Sequence, residues 1–270
     1  VLHTLNPRLH ADQVSWMANH AEDEVLFFEL SFLPLVEAVA SELKSVRHFV
    51  VMTDRENMPS VHKIPGLLCY EELVDGQDDQ YNWPQFSEEM ASSLCYTSGT
   101  TGNPKGALYS HRSTLLHAYA GALPDSLNCS ARDVIMPVVP MFHVNAWGLP
   151  YICALVGAKL VFPGANLDGT SLYELIESEQ VTMAAGVPTV WQGLLTHVNT
   201  VQGRFSSMTR TVVGGSACPP EMLKTFIEKY DVQVVHAWGM TEMSPLGTVC
   251  TLKTKHLGMD EVSQYAVLSM

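Results

Sequence analysis

Apolar residues recur along this chain with two alternating periods, and the alternation sets out an order of helices and strands. Across 11–22, Val14, Met17, Ala18 and Ala21 fall on one helical face, and VLFFEL at 25–30 then has the continuous apolar character of a strand. A helix over 33–43 and the strand RHFVVM at 47–52 repeat the pair. Residues 53–92 interrupt it. They are polar, carry Pro59, Pro65, Pro84, Gly66 and Gly76, and predict an irregular surface excursion. The alternation resumes with a strand at 93–97, a helix near 111–122, the strand DVIMPVV, a helix near 145–156 and the strand AKLVF at 158–162. Helix 170–179, strand 181–185, helix 188–198, strand 210–215, helix 219–230 and strand 232–238 complete the series. In helix 219–230 the residues Met222, Leu223, Phe226, Ile227 and Tyr230 form an apolar stripe.

Short β-branched strands alternating with helices of ten to fifteen residues predict parallel βαβ units. The fold class that follows is layered α/β, with mostly parallel sheets and helices on both sheet faces. Ligands of such sheets collect at the carboxyl ends of the strands. Three polar, glycine-containing segments fall at predicted strand ends: 97–106, 214–219 and 239–245.

Composition narrows the chemistry. Hydrophobic residues make up 47% of the 270 and charged residues 16%, which suits a globular chain with a sizeable core. A formal net charge of −13 argues against a nucleic-acid partner, since no basic field is present to displace counterions from a phosphate backbone. The six cysteines, at 69, 95, 129, 153, 218 and 250, have no C-x-x-C spacing and read as reduced, mostly buried thiols of a cytoplasmic protein. Apolar stretches such as YICALVGAKLVF are too short for a transmembrane segment, and the first residues lack the pattern of a signal peptide.

The segment TSGTTGNPKG at 97–106 has no apolar side chain. It directly follows an apolar strand and precedes further β-like sequence, which argues against a linker. Successive backbone N–H groups and hydroxyls in such a loop form a nest for phosphate oxygens, with Lys105 as a mobile positive charge. A Walker A loop needs Ser or Thr after the lysine, and here Gly106 follows Lys105.

YTSGTTGNPKGALYSHR at 96–112 resembles the phosphate loop of the adenylate-forming superfamily, which includes acyl-CoA synthetases, luciferases and peptide-synthetase adenylation domains. GGSACPP at 214–220 and HAWGMTE at 236–242 match two further motifs of that superfamily in order and spacing. NPRLHADQVSWMANHAED, VVPMFHVNAWGLPY and GVPTVWQ are similar to bacterial medium- and long-chain fatty-acyl-CoA synthetases, so the resemblance covers almost the whole chain.

The resemblance implies ATP-dependent joining of a small-molecule carboxylic acid to AMP, then transfer of the acyl group to coenzyme A, with Mg2+ as the metal. It implies that Thr97, Ser98, Gly99, Thr100, Thr101, Gly102 and Lys105 hold the β- and γ-phosphates, Lys105 with a catalytic role. Thr241 matches the α-phosphate contact and Glu242 the magnesium ligand, assisted by Thr97. A Thr-Glu pair after a glycine is also a common helix start. Trp238 matches the residue that stacks on adenine, although a tryptophan after an apolar strand also suits a core. Gly215, Ser216 and Ala217 would border adenine and the acyl group, while His236, Ala237 and Gly239 continue the nucleotide wall. His143 would orient the substrate carboxylate, with Val144 and Trp147 beside the acyl tunnel, against the plainer reading of His143 as a packed, hydrogen-bonded residue. His111 and His117 have no spacing or carboxylate partner that marks a site.

Family members carry an aspartate, an arginine and a mobile C-terminal domain beyond the last of these motifs. Residues 1–270 are therefore expected to form the central part of the large N-terminal domain, a partial AMP-binding domain without its C-terminal partner, and with little ligase activity alone. The alternative expectation is a truncated, non-catalytic nucleotide- or acyl-binding module. A homodimer is an open assembly state, and acyl-chain length is not set by these motifs.

Overall fold

The computed structural model describes residues 1–97 and 103–269. Two compact units emerge, one from Val1–Ser87 with Tyr96–Gly106, the other from Glu88–Cys95 with Ala107–Met270.

In the first unit a short strand, β1 (Leu2–His3), precedes helix α1 (Ala11–His20). Val14, Met17 and Ala18 are the buried apolar residues of α1, as their spacing requires, and the His10 ring accepts the Asp12 N–H at the helix start. Strand β2 (Val25–Glu29), helix α2 (Leu33–Val39) and strand β3 (His48–Met52) follow. The expected irregular stretch contains a strand, β4 (Leu68–Cys69), and a short helix, α3 (Tyr70–Val74). Strand β4 joins the parallel sheet by pairing Leu68 and Cys69 with Val50 and Val51. Two residues are too few for a periodic signal, so the pattern of polar residues concealed it. Phe28, Val36, Val39, Phe49, Val51 and Ile64 make this unit's core.

The chain passes between the units within β5 (Ala91–Thr97) and β6 (Lys105–Ser110). Helix α4 (His111–Ala122) begins at a reciprocal cap, in which the Ser110 hydroxyl accepts the Ser113 N–H at 3.0 Å and the Ser113 hydroxyl accepts the Ser110 N–H at 3.1 Å. Strand β7 (Val134–Pro137), a one-turn segment α5 (Val144–Trp147), helix α6 (Leu149–Val156), strand β8 (Lys159–Leu160) and helix α7 (Gly169–Glu179) come next. Strand β9 (Met183–Gly186), helix α8 (Pro188–Thr200), strand β10 (Arg210–Val213) and helix α9 (Pro220–Lys224) continue the alternation. Helix α9 runs on as a π-helical turn over Thr225–Lys229 rather than as uniform α-helix. Strands β11 (Gln233–Gly239) and β12 (Leu246–Cys250) and helix α10 (Glu261–Leu268) complete the order. Asp260 caps α10 by accepting the Ser263 N–H at 3.0 Å.

The six-stranded sheet has the order β12-β11-β10-β9-β7-β8, parallel except for the antiparallel β11–β12 pair. Neighbouring strand residues separate onto opposite faces, as the period of two demands. Ala184, Val213 and Val234 pack with Leu172, Ile176, Trp191, Leu194 and Leu223 from α7, α8 and α9. Ala185, Val212 and Val235 pack with Ala118, Leu149 and Ile152 from α4 and α6. Full burial of each Val, Leu or Ile side chain among these contributes about 1.5–3 kcal/mol. Both faces are thus covered, as the layered α/β expectation required. Among the described residues no helix is long and apolar enough to cross a membrane, and the six cysteines form no disulfide.

Candidate active site

The second unit's site is built where β10 and β11 end. Past Val213 the chain reaches Gly214 and Gly215, the first buried and the second at φ +77°. A Cβ on Gly214 would sit 3.0 Å from the Ala237 carbonyl oxygen and 3.0 Å from the Trp147 ring. The missing side chain therefore lets the indole lie directly against the strand end.

Trp147 reaches that place through an unusual backbone. Val144, Asn145, Ala146, Trp147 and Gly148 have φ of +48°, +51°, +52°, +56° and +74°, a left-handed turn where a right-handed helix over 145–156 was expected. Four of these residues are not glycine, and each costs roughly 1–2 kcal/mol in this conformation. Surrounding contacts hold it. The Asn145 amide donates to the Tyr151 hydroxyl at 3.1 Å and accepts the Cys95 thiol at 3.5 Å, and Val144 is buried with Cys95 and Tyr109. Helix α6 starts only at Leu149, with Pro150 in its first turn. Strain maintained by its surroundings marks functional sites, where it fixes side chains that a relaxed backbone would misplace.

Beside this turn lies a cavity of about 270 Å³. Leu127, Leu149, Ala185 and Val212 supply its apolar end, and Gly214, Gly215 and Ala237 its middle. Trp238, Gly239, Met240 and Thr241 line it together with His143, Val144 and Trp147. His143 keeps solvent exposure on one side, yet desolvation by the protein on the other holds its imidazole below the usual range. The neutral ring, with one N–H donor and one acceptor, is therefore favoured at neutral pH. Trp238 is 54% exposed and packs against the backbone of Gly247, so it is not a core tryptophan and keeps surface available for a ligand.

The Thr241–Met243 turn is secured from β6. The buried Tyr109 hydroxyl donates to the Thr241 carbonyl across 132 residues of sequence. Desolvation, with the Cys95 thiol and the Glu242 carboxylate nearby, pushes the Tyr109 phenol well above its ordinary value, so it stays a donor. From α4, the His117 Nε2 accepts the Leu246 N–H at 3.2 Å, and burial lowers the His117 pKa. The motif reading gave Tyr109, Asn145 and His117 no role, because their partners Thr241, Cys95 and Leu246 lie 50 or more residues away in sequence.

Of the expected site residues, His143, Val144, Trp147, Gly215, Ala237, Trp238, Gly239 and Thr241 share the wall of this cavity. Ser216, Ala217, His236 and Glu242 are sequence neighbours of wall residues without lining it. Ser216, Ala217 and Glu242 are exposed and His236 is half-buried. Thr97 and Lys105 belong to the other unit, where the Thr97 hydroxyl donates to the Lys105 carbonyl at 3.3 Å and the Lys105 residue is exposed. Ser98, Gly99, Thr100, Thr101 and Gly102 lie outside the described residues.

Among the described residues no three carboxylate, histidine or thiol groups converge as a metal cage. Magnesium does not require one, since it commonly binds through one or two carboxylates together with substrate phosphates and water. The exposed Glu242 carboxylate, which makes no hydrogen bond or ion pair among the described residues, fits that donor set.

The cavity thus opens among glycine-containing strand ends at the carboxyl edge of a mostly parallel sheet, the place where ligands of α/β folds collect. The chain belongs to the AMP-binding enzyme family, whose model matches residues 1–265. It is 56% identical over 256 residues to the 3-methylmercaptopropionyl-CoA ligase of Ruegeria lacuscaerulensis, covering 95% of this chain and 47% of that protein. Over 259 residues it is 55% identical to the medium-chain-fatty-acid–CoA ligase of Ectopseudomonas oleovorans, covering 96% of this chain and 47% of that one. The fold matches the crystal structure of the anthranilate CoA ligase AuaEII in complex with anthranoyl-AMP, with a TM-score of 0.81 at 24% identity over 92% of this chain and 46% of that one. The chain spans about half the length of the curated relatives it matches.

Proposed function

We propose that these residues form part of the adenylation domain of an AMP-forming fatty-acid–CoA ligase, with ATP and coenzyme A as co-substrates. The carrying observation is this cavity, whose wall includes both apolar side chains and the Gly214–Gly215 and Trp238–Thr241 segments. An acyl tail suits the first part and an adenylate the second. The names of the medium-chain-fatty-acid and 3-methylmercaptopropionyl-CoA ligases support a linear carboxylic acid as substrate. The unbridged, mostly buried thiols suit a cytoplasmic enzyme.

In this reading a carboxylate oxygen attacks the α-phosphorus of ATP, and the bond to the β-phosphate breaks with both electrons leaving on pyrophosphate. The coenzyme A thiolate then attacks the acyl carbon and AMP departs. Neutral His143 donates its N–H to the acid's carboxylate and orients it without adding charge. The Thr241 hydroxyl, on a turn fixed by Tyr109, contacts the α-phosphate. Trp238 offers its exposed face to adenine, and Gly215, Ser216, Ala217, His236 and Ala237 border the base. By the resemblance, Thr97, Ser98, Gly99, Thr100, Thr101, Gly102 and Lys105 would take the departing phosphates, while Glu242 would hold magnesium. That ion, when bound, offsets the repulsion between the carboxylate and the phosphates. Fixed donors aimed at developing charge are the main source of rate enhancement in such reactions.

Decanoate-dependent exchange of pyrophosphate into ATP tests the proposal, measured on the polypeptide that carries these residues with the rest of its domains. Exchange that requires decanoate and magnesium is expected. Absence of exchange with every linear acid from four to sixteen carbons would overturn it.

A further inference from the structure

The inner end of the cavity has a rigid construction that the adenylation motifs do not account for. On the sheet face carrying α4 and α6, residues fall into layers set by strand register. Val212 lies opposite Ala185 and Val235, and Arg210 lies opposite Met183 and Gln233 one layer further from the strand ends. Gly214, Ala237 and Ala185 are small and leave the space open. Val212 and Leu127 are larger, and both are buried at its inner end.

Behind them the layer is charged. The Arg210 guanidinium donates from Nε to the Leu127 carbonyl at 3.1 Å and from a terminal nitrogen to the Asn128 carbonyl at 3.0 Å. The same guanidinium pairs with Asp133 at 2.8 Å, with both side chains about nine-tenths buried. Asp133 also accepts the Thr182 hydroxyl at 2.8 Å and the Ser130 N–H at 2.8 Å. Leu127 is further tied by its N–H to the Gly121 carbonyl at 3.0 Å. A hydrocarbon pushed past Leu127 would meet a desolvated ion pair whose disruption is strongly unfavourable. The Leu127 backbone is held at both its N–H and its carbonyl, so it yields little.

We infer that Leu127, fixed in place by Arg210, is the residue that limits acyl-chain length, and that it restricts this site to medium-chain acids. The inference rests on the ligase reading above and adds the substrate length. An engineered cavity of about 150 Å³ takes the six carbons of benzene. By that measure 270 Å³ holds roughly eleven carbons, part of it beside the nucleotide-binding segments. That figure is the ceiling for the tail, so linear acids of no more than about ten carbons fit, and sixteen carbons do not.

The test uses acyl-sulfamoyl-adenosines with tails of four, six, eight, ten, twelve and sixteen carbons, titrated calorimetrically into the protein. Affinity should rise about fourfold per methylene up to the limit, from the transfer of each CH2 out of water, and fall beyond it. Leu127→Ala removes three carbons from the floor and should move the limit outward by about two to three carbons. Ala185→Val adds bulk to the open wall and should move it inward, which keeps the test valid if Leu127→Ala folds poorly. Binding with a maximum that both substitutions leave in place, or affinity independent of tail length, overturns this inference alone. No binding of any of the six compounds overturns the ligase reading beneath it.

Discussion

Replacing Tyr109 by Phe removes one hydroxyl and leaves the ring in its buried setting with Cys95 and Val144. What is lost is the donation to the Thr241 carbonyl, which joins β6 to the Thr-Glu turn. Thr241 is half-buried on the cavity wall, so water can partly replace the donor. The cost therefore belongs in the middle of the range for a net hydrogen bond, about 1 kcal/mol. For a unit of this size that lowers the unfolding midpoint by about 2–4 °C. The pH dependence is a second readout. The folded phenol has a raised pKa, so its contribution is complete below the ordinary tyrosine value near 10 and is lost as pH rises toward the folded value. Differential scanning calorimetry at pH 8 and at pH 10.5 measures both, and the difference between wild type and Tyr109→Phe should narrow at the higher pH. A Tyr109→Phe variant that unfolds at the wild-type temperature at pH 8 would refute the reasoning.

Glu242→Ala should abolish decanoate-dependent pyrophosphate exchange at ordinary magnesium while leaving the unfolding midpoint within about 1 °C, because an exposed carboxylate contributes little to stability. Exchange and calorimetry on the same preparation check both halves. Gly214→Val should displace Trp147, seen as a changed tryptophan emission spectrum, and weaken binding of the decanoyl compound at least tenfold, since even a single added carbon would lie 3.0 Å from the indole. Arg210→Met should destabilise the protein by about 3–5 kcal/mol in urea unfolding, because Asp133 is left charged and buried. Stability should also fall as pH drops below about 6.5, since burial lowers the folded pKa of His117 and the unfolded chain takes up the proton first. His117→Gln should reduce that decline in urea titrations between pH 7.5 and 5, the remainder coming from His143, whose pKa is lowered in the same way.

Much of the fold was legible because it depends on local periodicity. The alternation of Ala184 with Ala185 and of Val212 with Val213 between two cores is the same alternation that marks those strands in the sequence. The left-handed turn was not legible. VNAWGLPYICALV has the apolar spacing of a continuous helix, and spacing carries no information about backbone handedness; burial of Val144 and Asn145 decides it. Strand β12 and helix α10 were missed because LGTVC is short and EVSQYAVL has only a weak apolar face. The nucleotide-side residues were legible as motifs, since glycines and hydroxyls at strand ends have a direct chemical meaning. Leu127, Tyr109 and Arg210 looked like ordinary core and strand residues. Their roles come from partners such as Thr241 and Asp133, which only the tertiary structure brings near.

The central claim is that one cavity receives both an acyl tail and an adenylate. Competition calorimetry with decanoyl-sulfamoyl-adenosine tests it most directly. The account predicts that both ATP and decanoate, each added separately, weaken the apparent binding of that compound. Binding that responds to ATP but not to decanoate, or to decanoate but not to ATP, would contradict it.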